Sequence, residues 1–230
     1  MIEKYLVKKI TEPVDWKVTV PGSKSMTNRA LLMAVLSAGT VRVEGVLFSD
    51  DSRHFLACLV ALGFTVEIEE EKKCVTVTGC GGRIPRGDAV IDVGSAGTAA
   101  RFLAAMLGFS DGCYEIRCSA QMKRRPMAEL FDLLSGAGAK ITFLEEEGHL
   151  PVRITGCRYA RADKTAGETP RELSLDITKS TQFLSALLLI APMVPEGMKI
   201  HITSEKTDGS YIRITRKMMQ EFGVSVAFDG

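Results

Sequence analysis

The sequence has almost no net charge and lacks several patterns that mark other classes of protein. Its 29 lysines and arginines nearly balance its 28 aspartates and glutamates, which leaves a net charge of +1. No overall electric field therefore attracts nucleic acid or an anionic membrane. The three histidines are not spaced as metal ligands, and the six cysteines include no C-x-x-C pair. We expect no metal, no nucleic-acid partner, and reduced thiols in a cytoplasmic protein.

Long hydrophobic runs are also missing. The longest, from Phe183 to Val194, is shorter than the roughly 20 residues that span a bilayer, and it predicts a core helix. The first residues lack the apolar run of a signal peptide. Hydrophobic residues still make up 46% of the 230 residues, which is ample for a packed core in one or two domains. We expect a globular protein without a membrane segment.

A strand that turns sharply into an apolar helix is predicted near the start of the chain. The β-prone stretch 18–20 is broken by Pro21-Gly22, and a run of apolar helix formers follows. Polar groups collect at the beginning of this helix, where the unpaired backbone N–H groups and the dipole favour an anion. Lys24 adds a cation, Ser25 a hydroxyl, and Arg29 a planar fork suited to carboxylate or phosphate. The alternative interpretation is a capped helix with two solvated cations.

The same pattern repeats along the chain. Corresponding residues of the first two units are 72 positions apart, as three pairs show: Gly22 and Gly94, Arg29 and Arg101, and Arg53 and Arg125. The units span about 21–87, 88–156 and 170–230, and each is too small to bury its own apolar face. We therefore predict an α/β fold with a pseudo-threefold domain, in which the first helices of the units form a buried bundle. Their polar beginnings would then share one end of the bundle.

The periodicity predicts these elements in order. The predicted helices are 24–38, 51–62, 97–109, 127–137 (with Pro126 in its first turn), 181–191 and 211–222. The predicted strands are 5–10, 16–20, 41–47, 64–69, 74–78, 88–92, 113–118, 139–144, 151–155, 172–177, 198–203 and 224–228. The polar segment 157–170 is expected to be a loop.

Five motifs in order resemble those of the 5-enolpyruvylshikimate-3-phosphate synthase (EPSP synthase) family, and the resemblance covers residues 16–228. They are Gly22-Ser-Lys-Ser-x-x-Asn-Arg-Ala-Leu-Leu, Ser49-Asp-Asp-x-Arg-His, Ala96-Gly-Thr-x-x-Arg, Lys123-Arg-Arg-Pro126 and Ser180-Thr-Gln-Phe-Leu-x-Ala-Leu-Leu. The resemblance implies transfer of the enolpyruvyl group of phosphoenolpyruvate to shikimate 3-phosphate, with release of phosphate and without a metal or organic cofactor. It also implies two domains, each with three inverse α/β repeats, helices inside and sheets outside.

The resemblance assigns roles to nine residues. Lys24 would contact phosphoenolpyruvate, Gly97 would let the backbone approach it closely, and Arg125 would clamp its phosphate. The remaining six would form the site for shikimate 3-phosphate. Ser25 and Arg29 would contact its carboxylate side, and Ser180 and Thr181 would bind its 3-phosphate. Gln182 would reach both ligands, and Tyr211 would line the shikimate pocket. Two phosphates and two carboxylates require several charge-assisted donors, which these motifs supply.

Structural roles are open for several residues of these motifs. Arg53 and Arg101 are candidates for ion pairs between repeats, and Tyr211 is a candidate core residue. Ser180, Thr181 and Gln182 suit simple helix capping. The pair Asp50-Asp51 is expected to complement a helix dipole rather than bind a metal. His54, His149 and His201 are not expected to be catalytic.

Three positions depart from the family pattern. Ser95 stands where many members have Asn, and Phe102 where many have Pro, so a slightly reshaped phosphoenolpyruvate subsite is expected. Asp208 places a carboxylate near the expected 3-phosphate, so either its loop shifts or Ser210 substitutes.

The larger departure is length, because members of the family are nearly twice as long. Their proton-transfer residues, an aspartate, a glutamate and a lysine, lie in the second half. We therefore expect no catalytic acid or base here, but an amino-terminal half-site that is inactive alone and whose residues 1–20 pack with the second domain of a monomer.

Three other functions are considered. UDP-N-acetylglucosamine enolpyruvyltransferase shares the fold and chemistry, but Ser25 and the Asn28-Arg29 continuation argue against it, and no cysteine has an evident cationic setting. An RNA-end-processing enzyme would need a nucleophilic histidine and a basic groove, and the net charge of +1 argues against it. A non-enzymatic anion-binding module is the third possibility.

Overall fold

The computed structural model describes residues 6–157, 170–178, 180–205 and 207–228. Within these ranges the helices are α1 (Lys24–Leu36), α2 (Asp50–Ala61), α3 (Gly97–Gly108), α4 (Ala120–Lys123), α5 (Ala128–Gly136), α6 (Thr181–Ile190) and α7 (Ser210–Glu221), with a 3-10 turn at Ala191–Met193. The strands are β1 (Ala38–Glu44), β2 (Thr65–Glu69), β3 (Cys74–Cys80), β4 (Asp88–Asp92), β5 (Cys113–Arg117), β6 (Lys140–Phe143), β7 (Val152–Thr155), β8 (Arg171–Leu175) and β9 (Met198–Ile202).

The strands form three separate sheets, one in each predicted unit. The second sheet has the order β4-β5-β7-β6, with β4 and β5 parallel and the other pairs antiparallel. The first has the antiparallel order β1-β3-β2, and the third pairs β8 with β9 in parallel. Both parallel pairs are joined through a helix, α3 or α6, because parallel strands need a long crossover.

The helices that open the units form the core. All twelve residues of α3 are buried, and α6 is buried from Phe183 to Ile190. Helix α3 packs against α6, α1, α2 and α5, which explains why its sequence is apolar nearly all round. The predicted bundle is therefore present. No helix in the described ranges is both long and apolar enough to cross a bilayer.

Three of the predicted strands do not form. Residues 6–20 contain no strand, and Trp16, Val18 and Val20 are exposed; residue 5 lies outside the described residues. Residues 224–228 are also irregular. An alternating pattern makes a strand only where a neighbouring strand accepts its hydrogen bonds, and no described residue does so for these segments.

The second unit differs from the prediction at two helices, α5 and α4. Helix α5 begins at Ala128 with Met127 as its N-cap, so Pro126 precedes the cap instead of lying in the first turn. The short helix α4, capped by Ser119, was not predicted. Most of the predicted loop 157–170 lies outside the described residues.

Candidate functional site

The beginnings of six helices surround one cavity of about 390 Å³. Residues in the first two positions of α1, α2, α3, α4, α6 and α7 lie in its wall. Seven of the nine residues predicted for the site share this wall: Lys24, Ser25, Arg29, Gly97, Arg125, Gln182 and Tyr211. Three cationic side chains also line the cavity, so the positive ends of the longer helices and three cations surround one volume.

Close packing of backbone brings α1 to the cavity. A Cβ on Gly22 would lie 2.2 Å from the Gly45 carbonyl oxygen, so only glycine fits where the entering chain crosses the end of β1. Ser23 is the N-cap, and its Oγ accepts a hydrogen bond from the Met26 N–H at 3.4 Å. Capping by Ser23 leaves the Ser25 side chain to line the cavity.

Lys24 forms an ion pair inside the cavity. Its Nζ lies 3.1 Å from Oδ2 of Asp51, which stands in the first turn of α2. Asp51 thus complements the dipole of α2, as expected, and also neutralises Lys24, which the sequence did not indicate. An anion that enters the cavity competes with this carboxylate for the Lys24 ammonium.

Arg29 is a buried cation held by neutral groups. Its Nε donates to the Thr215 hydroxyl at 2.7 Å, Nη1 to the Ser25 carbonyl at 2.8 Å, and Nη2 to the Ser185 hydroxyl at 3.1 Å. Burial lowers the pKa of Arg29 to about 10, because no described carboxylate forms an ion pair with it and desolvation disfavours the charged form. Its guanidinium lies near two rings, 5.3 Å from the centroid of Phe102 and 5.6 Å from that of Tyr211.

Ring contacts with Arg29 also explain two residues of uncertain role. Phe102, one of the departures from the family pattern, is buried in α3 directly beside the guanidinium. Tyr211 is 49% exposed and lines the cavity, so it is not a core residue. Both rings are therefore placed for a cation–π contact with Arg29.

Gly97 lies under the guanidinium of Arg125. A Cβ built on Gly97 would be only 2.2 Å from Nη1 of Arg125, so the missing side chain provides the space that this cation occupies. Arg125 follows the short helix α4 and reaches the first residue of α3 from there. The two residues assigned to the phosphate of phosphoenolpyruvate are thus in direct contact.

Ser180 and Thr181 do not lie in the wall of the cavity. Ser180 is the N-cap of α6, and its Oγ accepts a hydrogen bond from the Gln182 N–H at 3.2 Å. Gln182 does line the cavity. Capping is therefore the role that this structure gives Ser180, and binding of the 3-phosphate by Ser180 and Thr181 stays a prediction.

Four further residues complete the wall: Asp51, Ser95, Thr98 and Gln121. Of these, only Ser95 was connected with the site from the sequence, as a departure in the phosphoenolpyruvate subsite. Asp51, Thr98 and Gln121 each hold the second position of a helix, which is the one signal they share. Ser95 Oγ lies 2.7 Å from Ser119 Oγ, a contact that joins the loop before α3 to the cap of α4. The departure at Ser95 is therefore located at the cavity.

Several other charged residues are engaged elsewhere. Arg53 forms an exposed two-bond ion pair with Glu70 of the same unit, with Nη2 to Oε2 at 2.9 Å, so it does not join two repeats. Asp208 pairs with Arg213 at 2.7 Å, and the Gly209 N–H together with that guanidinium holds the pKa of Asp208 below its usual range. Asp208 is not part of the cavity wall. Its ion pair with Arg213 offsets the negative charge that would repel a bound phosphate.

The described residues offer no metal site and no evident nucleophilic thiol. No three His, Cys, Asp or Glu side chains among them stand close enough to hold a metal ion. All six cysteines lie in the described ranges without a disulfide. Burial raises the pKa of Cys58 to about 12 and also raises that of Cys118, so neither is an activated thiolate.

Solved structures with this architecture are enolpyruvyl transferases. EPSP synthase from Acinetobacter baumannii superimposes with a TM-score of 0.74 at 26% identity, over 93% of this chain and 45% of that one. The enolpyruvyl transferase NikO from Streptomyces tendae shares the fold, with a TM-score of 0.52 at 18% identity over 80% and 39% of the two chains. The fold class predicted from the repeats is therefore confirmed as that of the enolpyruvyl transferases.

Sequence comparisons identify the family within this class. The sequence model of EPSP synthase (3-phosphoshikimate 1-carboxyvinyltransferase) matches residues 8–230, and the chain therefore belongs to the EPSP synthase family. The 3-phosphoshikimate 1-carboxyvinyltransferase of Sulfurovum sp. is 42% identical over 214 residues, which are 93% of this chain and 48% of that protein. The enzyme of the same name from Trichormus variabilis is 37% identical over 94% and 49%. The chain spans about half the length of these relatives.

Proposed function

We propose that this chain forms the amino-terminal half of a 3-phosphoshikimate 1-carboxyvinyltransferase and carries its site for shikimate 3-phosphate and part of its site for phosphoenolpyruvate. The supporting observation is the meeting of Lys24, Arg29 and Arg125 with several helix beginnings in one cavity, against a single carboxylate, Asp51. Such an excess of fixed positive charge suits a ligand with several negative groups.

The proposed reaction breaks the C–O bond between the enolpyruvyl group and phosphate and forms a new C–O bond to the 5-hydroxyl oxygen of shikimate 3-phosphate. The hydroxyl proton leaves, and phosphate is released. Proton transfers to and from the enolpyruvyl methylene accompany these steps, which require a general acid and base. Among the described residues, Asp51 is the only acidic side chain in the wall, and Lys24 engages it in an ion pair.

The contribution of this half is therefore binding and orientation. Arg29, held by three hydrogen bonds, presents its remaining N–H groups to the substrate carboxylate without reorganisation. Arg125 over Gly97 holds the phosphate that becomes the leaving group. The acid and base would come from the second half, onto which the exposed residues 6–20 would dock. We place the whole enzyme in the cytoplasm as a monomer of two such domains, with no metal or nucleic acid as a partner.

A titration of this chain with shikimate 3-phosphate tests the proposal. Calorimetry and NMR should report binding, and Arg29→Ala should weaken it by at least about fivefold because a charge-assisted contact is lost. Arg53→Ala, which removes only an exposed ion pair, is the matched control. Unchanged affinity in Arg29→Ala, or tighter binding of a UDP-sugar than of shikimate 3-phosphate, would contradict the assignment.

Turnover separates a half-site from a complete enzyme. With phosphoenolpyruvate and shikimate 3-phosphate, this chain alone should release no measurable phosphate, and addition of the carboxy-terminal half of a related enzyme should restore release. Rapid phosphate release by the chain alone would overturn the view that it is inactive by itself.

A further inference from the structure

Arg101 is a second buried arginine near the cavity. It is not part of the cavity wall, and the resemblance gives it no ligand. It lies on α3 one turn after Gly97 and is 8% exposed. Its Nη1 donates to the Gly97 carbonyl at 2.9 Å, and its guanidinium lies 5.4 Å from the ring centroid of Phe183. Its Nε is buried and has no hydrogen-bond partner among the described residues.

The guanidinium of Arg101 lies beside that of Arg125. A Cβ on Gly97 would be 2.9 Å from Nη1 of Arg101 and 2.2 Å from Nη1 of Arg125, so these two nitrogens are no more than about 5 Å apart. The ion pairs within the described ranges include neither arginine. Burial and the nearby charge of Arg125 both lower the pKa of Arg101, whereas the field of Glu129 raises it.

Two close cations repel each other, and a bound anion relieves that repulsion. We propose that Arg101 is a positioning residue of a phosphate subsite above Gly97, where it holds the Gly97 carbonyl and adds a second positive charge behind the bound phosphoryl group. This inference rests on the proposed function, which assigns that phosphate to Arg125 alone. The dianion gains most from two cations, so the subsite selects the fully ionised phosphate over the singly charged form.

A purely structural role would have a different consequence. If Arg101 only joined α3 to α6 through Phe183, its replacement would lower stability and leave anion affinity and its pH dependence unchanged. Charge, rather than volume, is the property on which the proposed role depends. Lysine at this position keeps the charge and loses the planar fork, whereas methionine keeps much of the apolar stem and loses the charge.

Inorganic phosphate is a suitable probe, because it is a product of the proposed reaction and has two ionisation states near neutral pH. Calorimetric titrations of this 230-residue chain would be made below and above the second ionisation of phosphate, with Arg101→Met, Arg101→Lys and, as control, Arg53→Met. Thermal unfolding of each variant would report stability separately. The wild-type chain should bind the dianion more tightly than the monoanion.

We expect Arg101→Met to weaken dianion binding by about tenfold and to remove most of the pH dependence. Arg101→Lys should recover part of the affinity and keep the pH dependence, and Arg53→Met should match the wild type. Wild-type affinity and pH dependence in Arg101→Met would overturn the inference while leaving the proposed function intact. If Arg101→Met does not fold, Arg101→Gln also removes the charge, and wild-type affinity and pH dependence in that variant overturn the inference. Failure of the wild-type chain to bind phosphate would also overturn the inference, whereas the proposed function stands or falls with the separate titration of shikimate 3-phosphate.

Discussion

The ammonium of Lys24 lies 3.1 Å from the carboxylate of Asp51, and both side chains face the same cavity. The pair joins the beginnings of α1 and α2, the first helices along the chain. A carboxylate in a site built for anions acts as an internal competitor: it occupies the lysine until a ligand displaces it. Half of the Lys24 side chain is exposed, so solvent screening weakens its ion pair with Asp51 and limits this competition.

Replacement of Asp51 by Asn should strengthen binding of phosphate or phosphoenolpyruvate to this chain. An exposed or half-exposed ion pair contributes about 0.2–1 kcal/mol, so the gain in affinity should be at most about fivefold. Asp50→Asn is the matched control, since Asp50 belongs to the same helix turn and lies outside the cavity wall. Calorimetry measures both; weaker binding in Asp51→Asn would mean that Asp51 orients Lys24 instead of competing for it.

Gly97→Ala should weaken phosphate binding by at least about tenfold, because the new methyl group takes the position from which Arg125 acts. The fold should survive, since the two atoms that must move, Nη1 of Arg125 and Nη1 of Arg101, are the ends of flexible side chains. Gly136→Ala is the control: it is also helical, and its Cβ meets no atom within 4 Å. Phosphate titration and thermal unfolding of the two variants separate the effects, and wild-type affinity in Gly97→Ala would show that Arg125 does not hold the phosphate.

Much of the fold was predictable because local and repeated patterns agree. The strand 88–92 was predicted with its observed bounds, and every described helix except α4 was predicted to within a few residues. The 72-residue spacing between the first two units indicated the bundle, since units of this size cannot bury α3 or α6 alone. The three missing strands could not be excluded from local sequence, because a strand forms only where a neighbouring strand accepts its hydrogen bonds.

The site was predictable where a motif marks its residues, both the charged ones and uncharged ones such as Gly97 and Gln182. Lys24, Arg29 and Arg125 were named from the sequence and share the cavity. Thr98 and Gln121 were not named, because their place in the wall follows from tertiary packing, and a four-residue helix such as α4 has too few turns to show periodicity. The ion pair of Lys24 with Asp51 links residues 27 positions apart, and nothing in either motif indicates it.

Cys58, which is buried on α2, should react more slowly with alkylating reagents than the half-buried cysteines Cys80 and Cys113. Its Sγ donates to the Asp92 carbonyl at 3.3 Å, and burial raises its pKa to about 12. Because the folded state holds the proton more tightly than the unfolded chain, this group favours folding below its ordinary pKa of about 9, and the contribution is lost as the pH rises toward 12. Alkylation followed by mass spectrometry should label the half-buried Cys80 and Cys113 before Cys58, and rapid labelling of Cys58 at neutral pH would contradict its burial.

Trp16 is the only tryptophan of the chain and lies in the exposed segment 6–20, with 70% of its surface accessible. Val18 and Val20 are also exposed, and the alternate spacing of the three residues would place them on one face if the segment became a strand. If this face docks on the second half of the enzyme, addition of that half should move the Trp16 emission to shorter wavelengths and reduce its quenching by iodide. Lys17→Glu, on the opposite face of such a strand, should leave the shift unchanged, whereas Val18→Asp should abolish it. An unshifted emission in a complex that forms by sedimentation would show that the segment docks elsewhere.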